Sequence, residues 1–268
     1  MTVKEPPVTH GDFTELATDY ALYRPGYDAN VRAALIGLLG APPTGLDAVD
    51  VGAGTGIWTR MLAAAGFRSI IAVEPNAAMR AAGTASSAGT AAARSIAWRE
   101  GSGEATGLAD ASADLLTMAS SFHWVDFARG TAEFRRVLRT GGWCCALWNP
   151  RQIEESPLLT EIEAELGRLG PEIERISSGR SGVTEQLGDR LRTEGGFSTV
   201  VYLEGRHVEI RSREAYIGVW RSVNDIRVQL GPERFARFLA WLDERLANVP
   251  EIATPYLTRA WAARNGTG

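Results

Sequence analysis

Short apolar runs alternate with amphipathic helical patterns over the first 150 residues of the chain. LDAVDVG (Leu46 to Gly52) predicts a strand, WTRMLAAAG predicts a helix that ends at Gly66, and SIIAVEP predicts a strand that ends at Pro75. Three further runs, SIAWRE, ADLLTMASS and WCCALWNP, read as strands. Strands that alternate with helices form parallel sheets, so this half predicts a doubly wound α/β fold.

Capping and stop residues mark the helices between these runs. AAMRAAGTASSAGTAAARS, residues 77–95, predicts a helix that frays into a loop. Asp126 is placed to cap a helix that Gly141 and Gly142 would stop. One face of that helix would carry four apolar residues: Phe127, Phe134, Val137 and Leu138.

The second half of the chain is more polar at first and then returns to strands. PLLTEIEAELGRL is helical in period, SSGRSG interrupts it, and the whole excursion predicts a small helical lid. FSTVVYLEGRHVEI predicts a strand bulged at Gly205, helices follow near 212–221 and 232–247, and TPYLTRAWAAR predicts a last strand. Together with the five earlier strands, the two late ones predict a mainly parallel seven-stranded sheet with an antiparallel edge hairpin.

The same pattern divides the chain into four parts. Residues 1–40 are expected to form an N-terminal helical cap, and residues 41–150 a ligand-binding core. Residues 151–195 would form the lid, and residues 196–268 would complete the sheet and add helices on the substrate side.

Charge and composition narrow the functional class. The chain has 268 residues and a net charge of −4, with Lys and Arg scattered, so no basic track for nucleic acid is expected. Two adjacent cysteines give no disulfide framework, and neither a signal segment nor an apolar run long enough for a bilayer is evident, which predicts a cytoplasmic protein. His10, His123 and His207 form no ligand pattern, so no metal is expected.

Glycines follow the first predicted strand in the pattern Asp50-x-Gly52-x-Gly54-x-Gly56. A dinucleotide fingerprint, G-x-G-x-x-G, requires a third glycine where this chain has Ile57. The spacing therefore favours a small ligand without a pyrophosphate over a nicotinamide dinucleotide.

Six blocks of the chain, in this order, resemble class I S-adenosylmethionine-dependent methyltransferases. The resemblance is to the small-molecule branch that includes ubiquinone/menaquinone and trans-aconitate methyltransferases, and it implies a Rossmann-like fold with S-adenosylmethionine as cofactor. The blocks are YALYRPGY, VDVGAGTG, IIAVEPNAAM, GSGEATGLADASADLLTMASSFHW, EFRRVLRTGGWCCALWN and PYLTRAWAAR.

The resemblance implies a cofactor site at the carboxyl edge of the sheet. Glu74 would accept hydrogen bonds from the ribose hydroxyls, and Arg24 would pair with the methionyl carboxylate. Met79 would face the adenine or pack in the core. The implied cofactor residues are Tyr23, Arg24, Asp50, Gly52, Ala53, Gly54, Glu74, Pro75, Met79, Ser102, Gly103, Glu104 and Ser120.

Three residues are candidates for the wall around the reactive methyl group: Tyr20, Phe122 and His123. His123 is open to two interpretations, a general base for a hydroxyl acceptor or a side chain that holds local backbone by a hydrogen bond. Because an activated sulfonium needs alignment more than acid or base chemistry, a pocket of aromatic walls is expected to suffice.

The expected acceptor is a small molecule, and N-methylation of an amine in natural-product biosynthesis, such as an antibiotic amino sugar, is the favoured function. Glu154, Glu155 and Asp225 are candidates for contacts with a cationic acceptor. O- or C-methylation, a nicotinamide-dependent oxidoreductase and a catalytically silent cofactor-binding scaffold remain alternatives. No nucleic-acid or membrane partner is expected, and a homo-oligomer is left open.

Overall fold

A computed structural model describes residues 14–90, 94–170, 173 and 184–266 of the chain. SSGRSG (residues 177–182), His10 and the first 13 residues, where no signal segment was predicted, lie outside the described residues.

Seven strands form one sheet in the order β3-β2-β1-β4-β5-β7-β6. The first five are parallel, and β7 pairs antiparallel with both β5 and β6. The predicted mainly parallel sheet with an antiparallel edge hairpin is confirmed. The strands are β1 (Asp47–Val51), β2 (Ser69–Val73), β3 (Ile96–Arg99), β4 (Ala113–Ala119), β5 (Leu138–Trp148), β6 (Thr199–Ser212) and β7 (Glu251–Arg264).

Helices cover both faces of this sheet, which is why its central strands are apolar on both sides. Adjacent Cys144 and Cys145 of β5 show this directly, because they are buried in two different hydrophobic clusters on opposite faces. The helices are α1 (Ala17–Tyr23), α2 (Ala29–Gly37), α3 (Ile57–Ala64), α4 (Ala77–Ser87), α5 (Phe127–Val137), α6 (Pro157–Leu169), α7 (Leu187–Thr193), α8 (Arg213–Arg221) and α9 (Asn224–Arg245).

Asp126 caps α5 as predicted, its carboxylate accepting from the backbone N–H of Arg129 at 2.9 Å. The predicted end of this helix is wrong, because β5 begins at Leu138 and runs through Gly141 and Gly142. The Asn265 side chain donates to the carbonyl of Leu138 at 3.0 Å, which satisfies the backbone where the helix turns into the strand.

The predicted bulge at Gly205 is also wrong. β6 and β7 pair without interruption from Thr199 to Ser212, with Gly205 opposite Thr258. A Cβ on Gly205 would lie 2.4 Å from a carboxylate oxygen of Asp28, the residue that caps α2. The glycine therefore makes room for the start of α2.

A separate layer of helices packs beyond the sheet. α6, α8 and α9 share a hydrophobic cluster that includes Trp220 and Phe238, whereas α7 packs on β6 and β7. The predicted lid excursion thus contributes to two different packing layers. α9 starts eight residues before the predicted helix at 232 and changes direction at Gly231, whose φ is 73°.

Candidate active site

A cavity of about 420 Å³ opens at the carboxyl ends of the parallel strands. It lies at the switch point between β1 and β4, where the strand order of an open sheet reverses and leaves a crevice. Its volume falls in the range of small-molecule sites.

The turn after β1 forms the floor of this cavity. Gly52 has φ 65°, and a Cβ there would lie 2.6 Å from Cβ of Ser121, whose hydroxyl donates to the Val51 carbonyl at 2.9 Å. Gly54 has φ 56° and, with no Cβ, exposes bare backbone to the cavity. Gly52 is thus required by protein packing, and Gly54 leaves room for a ligand.

Glu74 follows β2 and is almost fully buried in the cavity wall. Its two carboxylate oxygens accept from the backbone N–H of Gly54 at 2.8 Å and of Asn76 at 2.9 Å. Burial raises the pKa of Glu74 above its ordinary value, and these two donors oppose that shift. Each oxygen keeps a lone pair for a further donor.

A tight turn after β3 forms the next part of the wall. Ser102 and Ala105 pair across this turn, and Glu104 accepts from the backbone N–H of Asp126 at 2.8 Å. A Cβ on Gly103 would lie 2.4 Å from the Val125 side chain, so the turn packs closely against the start of α5. Pro75 and Met79 line the cavity beside it.

Ser120 stands at the end of β4 with φ 54°, an uncommon backbone conformation for a residue with a side chain. Its hydroxyl and that of Tyr27 are hydrogen-bonded at 2.9 Å. Burial raises the pKa of Tyr27, so the phenol is neutral. This pair joins the N-terminal segment to the switch point.

The N-terminal segment covers the cavity with Tyr20 and Arg24. The Arg24 guanidinium lies 4.8 Å from the centre of the Tyr20 ring and donates to the Ser222 carbonyl at 3.0 Å. Nε of Arg24 is buried and donates no hydrogen bond to any described atom. A buried donor of this kind fits an anionic group in the cavity.

Beyond β4, side chains from distant parts of the chain line the far end of the cavity. Asn149 donates to the Gly26 carbonyl at 2.8 Å, and the Arg151 guanidinium lies 4.2 Å from the centre of the Trp220 ring. Asp225, at the start of α9, is only 8% exposed. The far end also includes Trp124, Val219, Val223, Asn224 and Tyr256.

The sequence analysis missed most of this far end. Asp225 was a candidate because it is acidic and lies in a polar segment. Asn149 and Tyr256 lie in two of the six matching blocks but were given no role, and Arg151 lies in none of them. The antiparallel register of β5 and β7, in which Trp148 pairs with Arg259, continues to a bridge between Arg151 and Tyr256. Knowledge of that register would have predicted that these two residues are neighbours.

Two residues assigned to the cofactor site lie away from the cavity wall. Asp50 is fully buried beneath it, and its carboxylate accepts from the hydroxyls of Thr59 at 2.6 Å and Thr117 at 3.1 Å. Burial raises the pKa of Asp50 to about 7. Tyr23 packs instead against α8, where a Cβ on Gly218 would lie 2.3 Å from its ring.

Two of the three candidates for the reactive wall also lie away from the cavity. Phe122 packs edge-on against Phe127 and Trp148 in the core. Nδ1 of His123 accepts from the Trp148 indole at 3.4 Å, which places the imidazole proton on Nε2, a buried atom with no hydrogen-bond partner among the described residues. Burial lowers the pKa of His123 to about 4.

The other two acidic candidates lie away from the cavity wall. Glu155 forms an ion pair with Arg206 on the surface, and Glu154 is absent from the described cavity wall.

The described residues contain no cluster of three or more His, Cys, Asp or Glu arranged to hold a metal ion. None of the described helices is both long and apolar enough to cross a membrane.

Comparison with known proteins gives a consistent result. A family model described as a methyltransferase domain matches residues 49–146. Uncharacterized methyltransferases of Mycobacterium bovis and Mycobacterium tuberculosis are 34% identical to this chain over 215 residues, which cover 78% of this chain and 79% of each relative.

Solved structures share the fold. A protein of Anaeromyxobacter dehalogenans, described as a type II methyltransferase, has a TM-score of 0.61 and 24% identity, covering 92% of this chain and 100% of that one. A methyltransferase of Anabaena variabilis has a TM-score of 0.58 and 19% identity, covering 89% and 98%.

The donor set of the cavity suits S-adenosylmethionine. A buried carboxylate with free lone pairs matches a ribose diol, and a buried guanidinium donor matches a carboxylate. The turn formed by Gly52, Ala53 and Gly54 also lines the cavity. The chain belongs to the class I S-adenosylmethionine-dependent methyltransferases, and S-adenosylmethionine is its cofactor.

Proposed function

We propose that this enzyme methylates a nitrogen atom of a small-molecule amine. The observation that carries the proposal is Asp225, a buried carboxylate in the wall of the same cavity that holds Glu74. A buried carboxylate in a cavity wall offers a cationic ligand a charge-assisted contact that water screens little. An ammonium group is such a ligand, and natural-product amines such as amino sugars supply it.

We propose that the cofactor lies across the ends of β2, β1 and β4. Glu74 would accept from the ribose hydroxyls, Gly52, Ala53 and Gly54 would face the methionyl part, and Arg24 would bind its carboxylate. The adenine would lie among Pro75, Met79 and the turn from Ser102 to Glu104, with Ser120 near the sulfur. Bound there, the cofactor supplies a methyl group on a positively charged sulfur.

The protein's part in the reaction is alignment and exclusion of water. Tyr20, Tyr27 and Trp124 present aromatic surface to the cavity, which suits a positively charged donor and acceptor. Asp225 would orient the acceptor nitrogen and accept the proton that its ammonium form gives up before the nitrogen attacks as a neutral amine. Holding the reacting atoms near contact is worth about 7–11 kcal/mol, so no stronger base is required.

The test is methyl transfer by the purified enzyme to a matched panel of amines, phenols and activated carbon acids, measured by product mass. We expect the mass of one added methyl group on amines, and calorimetry with S-adenosylhomocysteine, NAD and NADP in parallel should show binding of the first alone. Transfer confined to oxygen or carbon would replace the amine proposal with the corresponding alternative. Binding of S-adenosylhomocysteine without transfer to any acceptor class would support a silent scaffold.

The remaining expectations stay predictions. They are a cytoplasmic location, the absence of a nucleic-acid or membrane partner and the division of the chain at residues 40, 150 and 195, and the question of a homo-oligomer stays open. We also propose that the reaction belongs to natural-product biosynthesis. This part of the proposal depends on an amine being the acceptor.

A further inference from the structure

A linker of five residues, 24–28, joins α1 to α2 and carries Arg24 to the cavity. None of these residues lies in a helix or a strand, so no regular ladder of backbone hydrogen bonds fixes the linker. Its position depends on contacts with distant parts of the chain.

Asn149, directly after β5, makes the central contact with this linker. Nδ2 of Asn149 donates to the carbonyl oxygen of Gly26 at 2.8 Å. Oδ1 of Asn149 accepts from the hydroxyl of Thr258 on β7 at 2.9 Å, and the same hydroxyl accepts from the backbone N–H of Asp28 at 2.9 Å. Asn149 and Thr258 together therefore hold the linker at two of its residues.

The direction of each hydrogen bond in this chain follows from the groups involved. The backbone N–H of Asp28 can only donate, so the single proton of the Thr258 hydroxyl is available to Oδ1 of Asn149. The amide N–H of Asn149 then faces the Gly26 carbonyl, which can only accept. No other arrangement of donors satisfies all four groups. Thr258 is fully buried, so water does not easily replace a lost partner there.

Arg24 is the residue that this arrangement places. It stands two residues before Gly26, and its guanidinium donates to the Ser222 carbonyl at 3.0 Å beside the Tyr20 ring. If the hydrogen bond at Gly26 is lost, the linker is free to shift and carries the guanidinium with it. A displacement of about 1 Å is enough to weaken a contact that depends on alignment.

We infer that Asn149 is a positioning residue for the cofactor. Its hydrogen bond to Gly26 holds the linker so that Arg24 meets the methionyl carboxylate. This inference rests on the proposed placement of the cofactor, and it gives a residue that follows β5, beside the acceptor end of the cavity, a role in binding the amino-acid tail of the cofactor.

The test compares two ligands that share the nucleoside and the sulfur but differ in the amino-acid tail: S-adenosylhomocysteine and 5′-methylthioadenosine. Calorimetry measures the affinity for each. We expect Asn149→Ala to weaken S-adenosylhomocysteine by about tenfold and 5′-methylthioadenosine by less than about twofold, because only the first ligand needs Arg24 in place. Equal losses for the two ligands would overturn the inference.

Thr258 separates action through the linker from direct contact with a ligand, because it is buried and is not part of the described cavity wall. Thr258→Val removes the hydroxyl at nearly constant volume and should give the same selective loss as Asn149→Ala. Thr258→Ser keeps the hydroxyl and should restore the wild-type ratio of the two affinities. A wild-type ratio in Thr258→Val would overturn the inference, and this pair of variants decides if Asn149→Ala does not fold.

Asn265→Ala is the matched control for a general loss of stability. The Asn265 side chain also donates to backbone carbonyls, those of Leu138 at 3.0 Å and Arg135 at 3.1 Å, at the start of β5 and thus at the edge of the sheet opposite the cavity. The control should lower Tm and leave the ratio of the two affinities at its wild-type value. A selective loss of S-adenosylhomocysteine in this control as well would show that reduced stability alone produces the effect, and would overturn the inference.

Arg24→Gln separates this inference from the cofactor placement on which it rests. The variant should weaken S-adenosylhomocysteine selectively, by about 10- to 100-fold, because a charge-assisted contact is lost. An unchanged ratio in Arg24→Gln would remove the proposed placement of the tail and this inference with it. A changed ratio in Arg24→Gln, with a wild-type ratio in Asn149→Ala and Thr258→Val, would remove this inference alone.

Discussion

The two ends of the cavity are built by different means. The end proposed for the cofactor is lined mostly by residues 52–79 and the turn at Ser102, with Glu74 held by two backbone N–H groups, and only Arg24 and Ser120 come from elsewhere. The end proposed for the acceptor is lined by residues that follow β5 and by side chains of α8, α9 and β7, which are separated by up to about a hundred residues in the chain. A ligand shared by a whole family can be held by a local motif, whereas an individual acceptor is held by a set of side chains that only the fold brings together.

The largest expected effect is at the cofactor end. Glu74→Ala should lower the affinity for S-adenosylhomocysteine by about 100- to 1000-fold, because hydrogen bonds to a charged acceptor contribute about 1.5–3 kcal/mol each. The N–H groups of Gly54 and Asn76 would also lose their acceptor. Calorimetry measures the change, and Glu100→Ala, an exposed acid paired with Arg80 near the same sheet edge, is the control. Equal affinities in the two variants would show that Glu74 does not hold the cofactor.

This contrast explains which features of the fold and the site could be predicted from the sequence. The apolar periods predicted the parallel strands, and Gly54 and Glu74 were identified because the family motif fixes their place at strand ends. The end of α5 at Val137 was missed because Asn265, at the far end of the chain, provides the hydrogen bonds there. Sequence spacing carries no record of such a contact.

Side-chain direction was a second limit. Phe122 and His123 were expected to lie in the wall around the reactive methyl group, yet the short helical turn at Phe122–Trp124 points Phe122 into the core and leaves Trp124 at the cavity. A difference of one or two residues in a single turn decides which side chain faces a ligand. The motif fixed the place of the turn but not its orientation.

The next effect should appear only at the acceptor end. Asp225→Asn is expected to lower kcat/KM for an amine acceptor by about 10- to 100-fold, because a charge-assisted contact becomes a neutral one. The affinity for S-adenosylhomocysteine should stay within about twofold. Asp243→Asn is the control on the same helix, where the acid pairs with Arg213 at the surface. A loss of affinity for S-adenosylhomocysteine without a loss of kcat/KM would show that Asp225 contacts the cofactor and not the acceptor.

A smaller effect, on both cofactor affinity and turnover, is expected at Tyr27, which joins the two ends of the cavity through Ser120. Tyr27→Phe removes the hydrogen bond to Ser120 at 2.9 Å and keeps the ring, which packs edge-on against Trp58 at 5.3 Å. Because a neutral hydrogen bond contributes about 0.5–1.5 kcal/mol, affinity for S-adenosylhomocysteine and kcat/KM should each fall by about two- to tenfold. A change in only one of the two quantities would show that Tyr27 belongs to one end and does not join them.

The smallest effect on turnover is expected at His123, which lies away from the cavity. With its pKa lowered to about 4 by burial and its Nδ1 accepting from Trp148, the imidazole is neutral and cannot accept a second proton through Nε2. His123→Gln should therefore keep the pH profile of kcat unchanged between about pH 6 and pH 9, since no titrating catalytic group is removed. Loss of the acidic limb of the kcat profile in the variant would restore His123 as a general base.

The lowered pKa of His123 also predicts how the difference in stability between wild type and His123→Gln changes with pH. Between the ordinary pKa of histidine and about 4, the unfolded chain binds a proton on His123 that the folded chain does not, so folded wild type loses stability as the pH falls through that window. Glutamine does not titrate. At neutral pH the variant should be less stable, because the packing beside Trp148 is disturbed, and its deficit in Tm should narrow toward about pH 5. If the deficit in Tm instead widens as the pH falls, His123 binds its proton more tightly in the folded chain than in the unfolded chain. That result would require a negatively charged partner, such as Asp225, close to the imidazole, and would contradict the lowered pKa.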